Sequence, residues 1–240
     1  MKTTSLLALT LFAAGSLLAA DSTPKDDVTN AANVLAGQNY SWRTTAEAAN
    51  NARFRGNPTE GKTEKDGYTT LSMKFGDNPA ELVMHGTNCA IKTQDNGWQS
   101  STEALADNGG NGGFNPASFI ARMAKNFKLP AADAASLATD ATNLTAGADG
   151  ITGGLSEETV KSLIVFRRGA GGNTPTVSNA KGSVTFWLTD GKLTKYQVHL
   201  TGSVTFNGND RDVDRTTTVE IKDVGTTTIE VPDEAKKKME

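Results

Sequence analysis

Apolar and polar positions alternate with a period of two over the last quarter of the chain, from Lys181 to Pro232. Val184, Phe186 and Leu188 fall on one side of the pattern, with Thr185, Trp187 and Thr189 on the other. The alternation returns after Asp190-Gly191, where Tyr196, Val198, Leu200, Val204 and Phe206 oppose Gln197, His199, Thr201, Ser203 and Thr205. After Asn207-Gly208 it sets Val213, Thr217, Val219 and Ile221 against Asp214, Thr216, Thr218 and Glu220, and a last short run carries Ile229 and Val231. Successive side chains of a strand point to opposite faces, so this pattern predicts a sheet with one dry and one wet face. Asp-Gly and Asn-Gly supply the positive φ angles of tight hairpins. Four consecutive antiparallel strands are expected here.

Short runs bounded by Gly, Asn, Asp or Pro predict a second meander: residues 39–46, 59–65, 68–75, 81–86, 89–93 and 97–101. Helical spacing appears elsewhere. Val28, Ala31, Ala32 and Leu35 form one stripe that stops at Gly37. Asn115 and Pro116 suit an N-cap and first helical position, followed by the stripe Phe119, Ile120, Met123 and Phe127. Pro130 opens an alanine-rich helix to about Thr139, residues 143–152 suit one or two weak strands, and Ser156 caps a helix facing inward through Val160, Leu163 and Ile164. That helix is expected to end at Arg167, Arg168 and Gly169. Asn108 to Gly113 and Gly169 to Thr176 read as loose loops, and the charged tail from Asp233 to Glu240 as frayed. The order predicts an α+β fold, a curved antiparallel sheet (an incomplete barrel) with helices against one side.

Residues 1–20 change the picture of where the chain works. Lys2, the apolar run Leu6 to Leu18 and the small pair Ala19-Ala20 have the form of a secretory signal peptide cleaved near Ala20, too short for a stable membrane span. A single domain over residues 21–240, periplasmic or secreted, is expected. Twenty-four basic and 27 acidic residues give a net charge of −3, with no basic patch that would suit nucleic acid. Cys89 is the one cysteine, which excludes an intrachain disulfide and suits a buried, inert thiol.

Chemistry-bearing motifs are sparse. His85 and His199 sit within strands, without a visible nucleophile or carboxylate beside them in the sequence. Asp210, Asp212 and Asp214 begin like a calcium loop, but Arg215 and Ile221 stand where that loop needs Gly and Glu. A solvated ladder that discourages edge pairing is the ordinary alternative. No enzyme activity, cofactor or metal site is therefore expected. Trp187, alone among threonines on a polar face, either plugs a gap or lines a groove for an apolar ligand.

Several stretches together resemble one family. They are Glu60 to Phe75, Glu81 to Lys92 (ELVMHGTNCAIK), Asn115 to Phe127 (NPASFIARMAKNF), Phe186 to Tyr196 with its Asp190-Gly191 turn, and Thr228 to Pro232 (TIEVP). In that order, after a signal peptide and a first helix, they resemble the LolA/LppX-type periplasmic carriers of lipids and lipoproteins. The resemblance implies a half-barrel whose helices close an apolar cavity for acyl chains, with a lipid or lipidated protein as partner. Candidate lining residues are Trp42, Met73, Phe75, Met84, Phe119, Met123 and Trp187, and the resemblance implies that Arg43 helps to govern closure. The alternative is a secreted cell-envelope structural or interaction protein with a filled core and no ligand.

Overall fold

A computed structural model describes residues 22–49, 55–107, 114–165 and 175–240. The elements run α1 (Pro24–Ala36), β1 (Tyr40–Ala48), β2 (Arg55–Thr63), β3 (Thr69–Phe75), β4 (Asn78–His85), β5 (Asn88–Thr93), β6 (Gln99–Ser100), α2 (Ser101–Ala106), α3 (Pro116–Ala124) and α4 (Pro130–Asp140). Then follow β7 (Ala141–Gly147), β8 (Gly150–Leu155), α5 (Glu157–Val165), β9 (Thr176–Thr189), β10 (Lys192–Phe206), β11 (Asn209–Lys222) and α6 (Asp233–Lys237).

All eleven strands join one antiparallel sheet in the order β6-β5-β4-β3-β2-β1-β11-β10-β9-β8-β7, which does not close into a barrel. Two meanders thus run outward from a central seam where β1 pairs with β11, Trp42 opposite Ile221 and Thr44 opposite Val219. The hairpins close where the sequence placed them: Asp190 and Gly191 have φ of 51° and 72°, Asn207 and Gly208 of 51° and 76°. Both are the left-handed conformations that a two-residue hairpin loop requires.

Helices α1 to α5 cover one face, and their apolar stripes share a single core with the dry faces of both meanders. The four residues predicted for α1, Val28, Ala31, Ala32 and Leu35, are all buried. Asn115 caps α3, its side chain accepting the Ser118 N–H at 3.0 Å, and Ser156 accepts the Thr159 N–H at 3.2 Å ahead of α5. Residues 143–152 do form strands, the β7–β8 hairpin. The end of α5 at Arg167 to Gly169, the loops at 108–113 and 169–174, and the proposed signal peptide lie outside the described residues.

Three expectations are corrected. Residues 97–101 hold only the two-residue β6 before turning into α2, because Ser100 and Glu103 form a reciprocal capping box that starts a helix. Residues 228–231 are not a strand: the Ile229 N–H donates to the Glu64 side chain at 2.8 Å instead of joining a ladder. The tail is not frayed. It forms α6 and lies on the sheet's other face, where Ala235 and Met239 close a second small core with Val83, Ala90 and Trp98. Lys238 reaches Glu103 at 2.7 Å, and the Asn88 amide donates to the Met239 carbonyl at 2.8 Å.

Candidate functional site

The register builds two faces with different chemistry. On the helix-covered face one cross-strand row reads Trp42, Gly61, Leu71, Leu82 and Ile91. Gly61 is there for room: a Cβ at that position would overlap the Trp42 indole, which lies across it. Trp42 stacks in turn on Phe127 at 6.3 Å and tilts against Tyr40 at 5.7 Å. It is buried to 3% exposure, so its ring faces other side chains rather than a void.

Tyrosines fasten the helix layer. Leu129 gives α4 no side-chain cap, and the Ala131 N–H donates instead to the Tyr40 hydroxyl at 3.3 Å. The Tyr196 hydroxyl donates to Asp133 in the first turn of α4 at 2.8 Å. Burial pushes Tyr40 up to about 12; burial and then the Asp133 carboxylate push Tyr196 well above the usual tyrosine range. Both remain neutral hydrogen-bonding groups.

Six of the expected lining residues gather on this face. Trp42 and Met73 are buried, while Phe75, Met84, Phe119 and Met123 are half-buried against the core. Phe75 meets Phe119 edge-on at 5.7 Å, and the exposed Phe114 completes a triangle at 5.6 and 5.8 Å. Sequence reasoning missed Phe114 as a site residue because it stands just outside the helical stripe. The buried face of α3 is Ala117, Ser118 and Ala121 around the fully buried Ile120, while Phe119 and Met123 sit half-buried at its margins.

The remaining two candidates, Arg43 and Trp187, lie on the opposite face. A charged row crosses there through Trp187, Lys195, Glu220, Arg43 and Glu60. Arg43 pairs with Glu60 at 3.1 Å, and the Lys195 ammonium sits 3.7 Å over the centre of the Trp187 ring. One site therefore does not hold all eight residues. Two shallow, open hollows of the described residues lie away from α3. One, of about 390 Å³, is at the β10–β11 turn; the other, of about 620 Å³, is beside Trp187.

His199 does acquire a carboxylate partner, Asp214 at 2.9 Å. They stand on the wet face because Asp214 lies two residues before Thr216, the direct neighbour of His199. Asp210 accepts from the Thr205 hydroxyl at 2.6 Å. His85 is exposed and leans on Tyr68, with ring centres 4.7 Å apart. Cys89 is buried, and loss of solvent pushes its thiol up. No described helix is long and apolar enough to cross a membrane.

No family model and no curated protein matches the sequence. Solved structures similar to this chain include two at low identity. One is LprF from Mycobacterium bovis, 10% identical, with a TM-score of 0.43 over 88% of this chain and 97% of that one. Another is the LolA superfamily protein NE2245 from Nitrosomonas europaea, 8% identical, with a TM-score of 0.30 over 88% and 96%. The topology described above stands on the strand pairing itself.

Proposed function

We propose that this protein is a non-enzymatic periplasmic or secreted carrier that shelters a lipid, a lipoprotein acyl chain or another long apolar ligand between the sheet and α3. The observation that carries this reading is the aromatic and methionine margin of α3: half-buried Phe75, Phe119 and Met123 beside the exposed Phe114, with Met73 and Met84 farther along the same face. Methionines and flat rings repack around an inserted chain at small cost. Each methylene taken from water contributes about 0.8 kcal/mol, so a long chain is held with no reactive group.

Organic extraction of protein purified from its own host, followed by mass spectrometry, is expected to release a stoichiometric apolar molecule. Phe119→Ser should reduce its yield while leaving the far-ultraviolet circular dichroism unchanged. A clean extract together with failure to take up a fluorescent fatty acid overturns the proposal. N-terminal sequencing of the secreted form is expected to begin at Asp21.

A second reading has its own observation. Tyr40, Phe186, Ile120 and Val160 are completely buried between the layers. That arrangement favours a cell-envelope structural or interaction protein with a filled core.

A further inference from the structure

The hollow beside Trp187 is a split in the sheet. The β10–β11 ladder ends at Lys195 opposite Glu220. Beyond it the strands part: β10 stays with β9 down to Lys192 opposite Thr189, while β11 stays with β1, Ile221 opposite Trp42 and Lys222 opposite Ser41. A register shift between Leu193 and Lys195 accompanies the parting, and at Asp223 the backbone takes a positive φ of 51°, just past the end of β11. The opening of about 620 Å³ therefore has walls from both faces: Trp187, Lys195, Glu220 and Lys222 from the wet one, Leu188 and Ile221 from the core.

Its charge is unbalanced. Arg43, the next cation along the row, is taken by Glu60 at 3.1 Å. Lys222 is 3.7 Å from Glu220, a loose pair. Among the described residues Lys195 has no carboxylate within ion-pair reach and rests on the Trp187 ring instead. A cation steadied by an indole face keeps most of its attraction for an anion. The wet mouth thus holds two ammonium groups and one carboxylate, which is near Lys222 alone, and apolar side chains line the wall behind them.

We infer that this split binds an anionic amphiphile, its phosphate or carboxylate head between Lys195 and Lys222 and its apolar part against Leu188, Ile221 and the edge of Trp187. The site is on the far side of the sheet from Phe75 and Phe119 and does not depend on the carrier reading.

Dodecyl phosphate, added below its micelle concentration, is the probe, read from the indole N–H resonance of Trp187, which Trp187→Phe identifies. A saturable shift is expected, weakened about tenfold or more by Lys195→Ala and by Lys222→Ala and kept by Lys195→Arg. Equal affinity for inorganic phosphate would reduce the site to a simple anion contact and overturn the amphiphile. Equal affinity for dodecyl maltoside, indifferent to both alanine variants, would overturn the role of charge. A ligand that shifts the Trp42 resonance and leaves Trp187 unmoved has gone beneath α3, which supports the carrier and refutes the split. A clean extract together with failure to take up a fluorescent fatty acid would sink the carrier and leave this result untouched.

Discussion

Tyr40 shows how one hydroxyl can stand in for a missing helix cap. Its ring belongs to the core of β1, yet its oxygen accepts the Ala131 N–H that a serine or aspartate at position 129 would have taken. Tyr40→Phe should keep the fold and lower stability by about 1 kcal/mol in a urea titration. Gly61 works by absence, leaving the space that the Trp42 ring fills. Gly61→Ala should cost roughly 1–3 kcal/mol, because ring or strand must shift, and the Trp42 near-ultraviolet signal should change with it. Neither relation was legible in the sequence, since both join residues whose adjacency only strand register decides. The burial of Val28, Ala31, Ala32 and Leu35 was legible, because their spacing is local. Trp187 was visible as an oddity among threonines, whereas the split beside it depends on where β11 turns away.

At the scale of elements, the informative cases are α2 and α6. The Ser100-to-Glu103 spacing is itself a capping signal, obscured by the strand-like Trp98 just before it. The closing run of Ile229 and Val231 alternates correctly, but the Ile229 N–H is taken by the Glu64 side chain rather than by a neighbouring strand. Met239 is hard to notice behind three lysines. Its destination could have been guessed from the other side, because Leu82-Val83-Met84 and Ala90-Ile91 are apolar on both faces and so require two covers. Glu103 ties the two elements together. The Lys238 ammonium and the Ser100 N–H hold its carboxyl below the usual glutamate range. A depressed carboxyl contributes stability at pH above its unfolded value and loses it as pH falls through the folded one. Acid titration below the ordinary glutamate range should therefore loosen α6 before the sheet melts, seen as a red shift of Trp98 emission. Deleting residues 233–240 should give the same shift at neutral pH.

For the whole molecule, the α+β class and the placing of α1 to α5 on one face followed from pattern alone, because alternation and helical stripes report which face is dry, whereas α6 on the other face did not. The order of strands did not follow, since nothing local says that β1 finds β11. Stability should be graded outward from that seam. Amide exchange is expected to be slowest in β11 and in the Lys195–Phe206 part of β10 that pairs with it, and fastest in β6 and β7 at the edges. Rapid exchange throughout β10 would show that the two meanders open independently. The seam also has a consequence for when the protein can exist. Its centre joins the first strand made to the last, so a ribosome must finish residues 209–222 before β1 gains its second neighbour. Until then the nascent chain holds half a sheet with a bare flank, and it stays threadable for as long as translation lasts.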